Sequence, residues 1–93
     1  MKNRKPIIPV SKSFARYLKE ARLNAGLTQT YVAEQLGVKN QLICNWERGA
    51  SSPSFNFLPI LIDLYGLSKI EVMEQLLKEH NRIYTEALKI RRK

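Results

Sequence analysis

Apolar residues recur at spacings of three and four positions through most of the chain, which is typical of one face of an α-helix. The pattern predicts helices over 13–25, 29–36, 40–48, 57–65 and 69–93. Glycines follow the first four, where helices commonly end in a left-handed residue. Ser11 or Ser13 is the expected cap of the first helix, and Ser68 with Glu71 forms a capping box for the fifth. The sequence therefore predicts an all-α protein of five helices.

The second and third predicted helices are short, and only a tight turn separates them. The hydroxyl of Thr28 can cap the second helix, and Gly37 allows the chain to reverse. Ala33 leaves room for the two helices to cross closely, while Ile43 and Trp46 anchor the third helix from behind. The opposite face of the third helix is mostly polar. This layout is typical of a helix-turn-helix motif that binds DNA.

Charge strengthens this interpretation. The formal net charge is +8, and the residues up to Ala50 include nine basic and three acidic side chains. A basic N-terminal half favours a polyanionic partner, and nucleic acid is the first candidate. Solubility alone is the alternative explanation of the charge. The charge and the helix-turn-helix pattern together favour DNA more strongly than either does alone.

Length and composition limit the remaining possibilities. A chain of 93 residues has room for one small domain. No apolar run approaches the roughly 20 residues of a membrane-spanning helix, and the basic N-terminus lacks the apolar core of a signal peptide. A single cysteine, Cys44, cannot form an intramolecular disulfide, which suits a reducing compartment. We interpret its side chain as a small filler near the surface rather than a redox-sensitive contact. We expect a cytoplasmic, nucleoid-associated protein.

An ordered set of positions resembles the phage repressor/Cro-type family of helix-turn-helix proteins, also called the XRE family. The matching residues are Arg22, Gly26-Leu27-Thr28-Gln29, Ala33, Leu36-Gly37-Val38, Ile43, Trp46-Glu47-Arg48-Gly49 and Pro53. The resemblance covers roughly residues 12 to 77. It implies a repressor-like domain that binds double-stranded DNA, and it does not identify a target sequence.

The third predicted helix carries the candidate residues for base recognition. Gln41 and Asn45 lie four positions apart and therefore share a face, and amide side chains pair with adenine in the major groove. Leu42 flanks this face and either contacts a thymine methyl group or packs at the edge of the core. Lys39 stands where the family often has a capping Ser or Thr, so Asn40 either contacts a base or caps the helix.

A second set of residues is predicted to contact the DNA backbone. The resemblance implies that Gln29 contacts a phosphate; the alternative interpretation is an ordinary residue at the start of a helix. The resemblance also places the loop 50–56 along the DNA backbone. Lys39 suits a phosphate, and Arg48 is a phosphate contact or a solvated charge. The N-terminal arm 1–10 is either a flexible leader, an arm that contacts DNA, or a segment that packs on the body. The predicted backbone contacts are Gln29, Lys39, Arg48, Ser51, Ser52, Ser54, Asn56, Lys2, Arg4 and Lys5.

The resemblance also implies an ion pair between Arg22 and Glu47 that ties the first helix to the third. Two solvated surface charges are the alternative. Removing one partner of a buried pair is expected to cost a few kcal/mol.

The fifth predicted helix exceeds the minimal domain, which we place at 11–78, with residues 79–93 as its extension. A heptad-like apolar stripe runs along it and predicts a homodimer interface. The stripe comprises Met73, Leu76, His80, Ile83, Tyr84, Ala87 and Ile90. The alternative is a helix that folds back on its own body or frays. His80 is interpreted as a packing residue rather than a pH switch.

The sequence thus predicts a sequence-specific DNA-binding transcriptional regulator, a repressor that acts as a homodimer on a palindromic operator. The second hypothesis is an antitoxin or co-regulator whose C-terminal helix binds a partner protein. An enzyme is not expected, because the pattern contains no metal-ligand cluster, phosphate-binding glycine loop or paired acids. No cofactor, no metal and no membrane partner are predicted.

Overall fold

The computed structural model describes residues 12–88, apart from the side chains of Lys12 and Ile83. The helices are α1 (Lys12–Asn24), α2 (Gln29–Leu36), α3 (Asn40–Arg48), α4 (Leu58–Tyr65) and α5 (Lys69–Leu88), and a 3-10 turn at Phe55–Phe57 precedes α4. No strand occurs between residues 12 and 88. The predicted all-α fold class is therefore confirmed.

Glycine closes the turn of the helix-turn-helix motif. Gly37 has a φ of 71°, and the N–H of the next residue, Val38, donates to the Ala33 carbonyl at 3.0 Å. This left-handed ending satisfies carbonyls at the end of α2 and points Val38 back into the protein, where it packs against the core. The turn and the burial of Val38 therefore depend on the same backbone conformation.

Side-chain caps fix the starts of two helices. Thr28 Oγ1 accepts from the Tyr31 N–H at 3.0 Å at the start of α2. Ser68 Oγ accepts from the Glu71 N–H at 3.2 Å at the start of α5. Ser13 is not a cap, because α1 begins at Lys12 and already includes it. Ser11, the other predicted cap, lies outside the described residues.

The core surrounds α1, which packs against α3, α4 and α5, while α2 packs on α3. The largest fully buried side chains are Phe14, Val32, Ile43 and Leu61. Trp46 is also buried, and its ring lies 5.5 Å from that of Phe57 between centroids. Helix α3 is therefore anchored along its inner face.

Helix α5 packs on the rest of the domain through one face. Val72 and Glu79 are buried and Leu76 packs against the core, whereas Met73 and Leu77 on the adjacent side are each 58% exposed. Leu76 is partly buried by this packing within its own chain, and its assignment to a dimer interface stays a prediction. The helix continues without a break past residue 78, where the predicted extension of the fifth helix begins.

Candidate nucleic-acid interface

The outer face of α3 carries a polar strip formed by Gln41, Asn45 and Arg48. These residues are four and three positions apart, so their side chains line up along the helix. Gln41 Nε2 donates to Asn45 Oδ1 at 3.0 Å, and Arg48 Nη2 donates to the same oxygen at 2.8 Å. Gln41 and Arg48 are exposed and Asn45 is half-buried. The strip presents amide and guanidinium groups to solvent, which are suited to base edges and phosphates.

The start of α3 has no side-chain cap. Lys39 is the N-cap residue in an extended conformation, with a φ of −80° and a ψ of 148°. Asn40 is the first helical residue, and its Nδ2 donates to Thr30 Oγ1 at 3.3 Å on α2. The capping role considered for Asn40 is therefore wrong, and the side chain instead links the two helices of the motif. Thr30 has no feature in the sequence that would have predicted this contact.

A buried ion pair holds α3 from behind. Arg22 on α1 donates to Glu47 on α3 through two nitrogens, at 2.7 and 3.0 Å, and its third nitrogen donates to the Leu27 carbonyl at 2.7 Å. Gln29 Nε2 at the start of α2 also donates to Glu47, at 3.0 Å. The side chains of Arg22 and Glu47 are 8% and 4% exposed. One carboxylate therefore joins all three helices around the motif.

The pKa values of two groups near Glu47 are shifted by this arrangement. The hydrogen bonds to Glu47 raise the pKa of Arg22 above its ordinary value, against the opposing effect of burial. Burial, followed by the negative charge of Glu47, raises the pKa of the nearby Tyr65 to about 12. Arg22 thus stays charged and Tyr65 stays neutral at physiological pH.

Leu42 and Cys44 on α3 are both half-buried. Leu42 packs against the core. In the free protein its position therefore fits packing at the edge of the core, the second of the two interpretations of this residue. Cys44 is a free thiol. Neither side chain forms part of the hydrogen-bonded strip.

The predicted backbone contacts in the loop after α3 differ in their exposure to solvent. Ser54 Oγ donates to Asn56 Oδ1 at 2.7 Å, and both residues are exposed, as is Ser52. The hydroxyl oxygen of Ser51 is instead buried, as is Pro53. A phosphate contact through the Ser51 hydroxyl does not fit this position, because a buried oxygen cannot meet a partner at the surface.

A groove between α1 and the end of α3 adjoins the strip. Arg16, Lys19 and Arg48 line it together with the acids Glu20 and Glu47, and Arg22 already neutralises Glu47. The groove therefore extends the positive surface beyond α3. The sequence could not predict this, because charges on the outer face of α1 are typical of any solvated helix.

Some predicted contacts lie outside the described residues. They are Lys2, Arg4 and Lys5 of the arm, Ile90 of the stripe, and the side chain of Ile83. Within 12–88, no helix is long and apolar enough to cross a membrane.

The fold and the polar strip on α3 define a helix-turn-helix protein. A family model described as a helix-turn-helix domain matches residues 13–75, and the chain belongs to this family, of the XRE/Cro type. It is also similar to the HTH-type transcriptional regulator ImmR of Bacillus subtilis (strain 168), with 41% identity over 56 residues. That alignment covers 60% of this chain and 44% of ImmR, so the matched part is less than half of the relative. No solved structure matches the chain.

The family supports binding of double-stranded DNA by this domain. Helix-turn-helix regulators are generally not enzymes. The predicted family is confirmed.

Proposed function

We propose that the protein is a sequence-specific transcriptional regulator that inserts α3 into the major groove of double-stranded DNA. The polar strip on α3 carries this proposal. Its side chains are held in line by hydrogen bonds to one another, and the helix beneath them is fixed by Ile43, Trp46 and Glu47. A rigid helix that carries amides on its outer face is suited to base edges in the major groove.

Backbone contacts around the strip orient the protein on the duplex. Lys39 and Arg48 lie at the two ends of α3 and supply positive charge to the flanking phosphates. Gln29 lies at the start of α2, where free backbone N–H groups also favour a phosphate. Such contacts provide most of the affinity and its dependence on salt, whereas Gln41 and Asn45 provide the discrimination.

The regulator acts as a homodimer through the outer face of α5. The exposed apolar residues there are Ile70, Met73, Leu77, Tyr84 and Leu88, which are 69%, 58%, 58%, 53% and 66% exposed. Together with His80, whose ring contacts that of Tyr84, they recur at the spacings of three and four positions that bring two helices together. We call these six residues the outer stripe. A second copy of the chain presents the same stripe, so pairing would bury both.

A dimer of this kind implies a two-fold symmetric operator with half-sites about one helical turn apart. Repression is the simplest action, because a protein bound at the operator excludes others from the same DNA. The first experiment is a selection from random duplexes at near-physiological salt, with the Gln41→Ala/Asn45→Ala double variant alongside. We expect enrichment of an inverted repeat with wild type and loss of discrimination within each half-site with the variant. Binding that depends on salt but enriches no sequence would contradict the proposal.

The dimer requires its own test, with a matched control. Leu77→Glu places a charge in the outer stripe, and Gln35→Glu places the same charge on an exposed site of α2. Sedimentation equilibrium should give about twice the 10.8 kDa chain mass for wild type and Gln35→Glu, and a monomer for Leu77→Glu. Both variants should retain the helical circular dichroism of wild type, because both sites are exposed. A Leu77→Glu variant that remains a dimer would exclude the outer stripe as the interface.

A partner protein is the second candidate for the outer stripe. An amphipathic helix that leaves its apolar face exposed suits a heterologous partner as well as a second copy. A wild-type monomer at high concentration, combined with loss of a co-purifying protein in Leu77→Glu, would favour an antitoxin or co-regulator.

A further inference from the structure

The hydrogen bonds along the strip on α3 have a direction, and Arg48 determines it. A guanidinium group has donors and no acceptor. The Asn45 atom 2.8 Å from Arg48 Nη2 must therefore be its carbonyl oxygen rather than its amide nitrogen. The same oxygen lies 3.0 Å from Gln41, so the Gln41 atom that faces it must be the amide nitrogen. One cation thus orients two amides in sequence.

This orientation leaves the two amides with different hydrogen-bonding capacity. A carbonyl oxygen has two lone pairs, and Arg48 and Gln41 occupy both on Asn45 Oδ1. Asn45 retains the two N–H donors of its nitrogen. Gln41 retains its carbonyl oxygen and one N–H group.

The difference matters because an amide recognises adenine through two bonds. It accepts from the N6 amino group and donates to N7. Gln41 still has both functions after its bond to Asn45. Asn45 has only the donor function, so it can recognise an acceptor such as the N7 atom of a purine but gains nothing from the adenine amino group.

We propose that Arg48 is a positioning residue for specificity. By occupying the carbonyl oxygen of Asn45, it makes Asn45 a contact that can only donate. Gln41 is then the residue that recognises both groups of an adenine. This inference rests on the proposed function, since it assumes that the strip contacts base edges. It is compatible with a phosphate contact by Arg48, whose remaining N–H groups stay available. It assigns unequal roles to two amides that the sequence treats as equivalent.

The test uses bases that differ by one group. Once an operator has been selected, Gln41→Ala and Asn45→Ala identify the base position at which each variant loses discrimination. Duplexes then carry adenine, purine or 7-deazaadenine at these positions. Purine lacks the N6 amino group, and 7-deazaadenine lacks the N7 acceptor. The ratio of dissociation constants between these duplexes measures each contact separately.

At the Gln41 position, we expect both changes to weaken wild-type binding by about fivefold, the usual effect of losing one hydrogen bond. At the Asn45 position, 7-deazaadenine should weaken binding by a similar factor, and purine should change it less than about twofold, since no bond to the amino group is lost.

Arg48→Met frees one lone pair of Asn45 Oδ1, so purine should then weaken binding at the Asn45 position by about fivefold relative to adenine. Lys39→Met is the matched control, because it removes a cation at the other end of α3 without touching the strip. Both variants should bind all duplexes more weakly, since each loses positive charge near DNA. The control should keep the wild-type insensitivity to purine at the Asn45 position. If Arg48 contributed only charge or folding stability, the two variants would show the same ratio of dissociation constants between purine and adenine at the Asn45 position.

The outcomes distinguish this inference from the proposed function. If selection enriches an operator but wild type loses as much affinity with purine at the Asn45 position as at the Gln41 position, the unequal roles are excluded. Equal purine ratios for wild type and Arg48→Met would exclude Arg48 as their cause. If selection enriches no sequence, the proposed base recognition fails as a whole, and this inference fails with it.

Discussion

Arg22 on α1 and Glu47 on α3 form a bidentate ion pair, with Nε 2.7 Å from Oε2 and Nη2 3.0 Å from Oε1. The pair lies 25 positions apart in the sequence and is almost fully buried. Because Gln29 at the start of α2 donates to the same carboxylate, the pair fixes both helices of the motif relative to α1. The orientation of the proposed DNA-binding face of α3 thus depends on a buried contact behind that helix.

Arg22→Met should destabilise the protein by about 3–5 kcal/mol, because it leaves the Glu47 carboxylate buried without its cation. The double variant Arg22→Met/Glu47→Leu should recover much of this loss, since no unpaired charge remains. Urea unfolding at pH 7 measures both free energies. If Arg22→Met unfolds at the same urea concentration as wild type, the pair does not stabilise the fold.

Tyr65 should make stability fall in alkaline solution. Its pKa is raised from 10.0 to about 12 in the folded protein, mainly by burial and then by the charge of Glu47. The unfolded chain releases the phenolic proton near pH 10, whereas the folded chain keeps it to about pH 12. The stabilising contribution is therefore complete below pH 10 and is lost as the pH rises from 10 to 12, by up to about 1.4 kcal/mol per pH unit.

Tyr65→Phe provides the control for this alkaline effect, because it keeps the ring and removes the titrating group. The difference in unfolding free energy between wild type and Tyr65→Phe, measured from pH 8 upward, should stay constant to about pH 10. Above that pH, wild type should lose stability relative to the variant. A difference that does not change with pH would show that Tyr65 ionises equally in both states.

Lys39→Ser should stabilise α3 by about 1 kcal/mol. Lys39 occupies the N-cap position in the required extended conformation but forms no cap hydrogen bond, and a serine hydroxyl could form one. Thr28→Ala is the opposite change at α2 and should destabilise by about the same amount, since it removes the bond to the Tyr31 N–H. Thermal unfolding of both variants checks the pair of effects, and a Lys39→Ser variant less stable than wild type would contradict it.

The same Lys39→Ser variant should bind DNA more weakly and with less dependence on salt. Loss of one phosphate contact reduces the magnitude of the negative slope of log K against log salt concentration by about 0.9. An unchanged slope would mean that Lys39 does not contact a phosphate.

Gly37→Ala should destabilise the fold by about 1–2 kcal/mol, the usual penalty for a side chain in the left-handed conformation. A Cβ atom at this position meets nothing within 4 Å, so the penalty comes from the backbone and not from a clash. Gly37→Asn should cost less, because asparagine tolerates this conformation better. Equal destabilisation by the two variants in urea unfolding would contradict a purely conformational origin.

The sequence by itself determined the helices, the turns and the family. Helix boundaries depend on local features, such as the cap at Thr28 and the left-handed residue at Gly37, which act within a few positions along the chain. The strip of Gln41 and Asn45 could be predicted for the same reason, since residues four apart on a helix must share a face.

The tertiary structure decided which face of α5 is buried and how the amides on α3 are oriented. The apolar residues of α5 occupy a broad sector of its circumference, and only docking on α1 separates the partly buried Leu76 from the exposed Leu77. Likewise, amide side chains can hydrogen-bond in either orientation, and only the position of the Arg48 guanidinium selects one for Asn45. Spacing specifies which side chains are neighbours, whereas packing and hydrogen bonding specify the surface that they present.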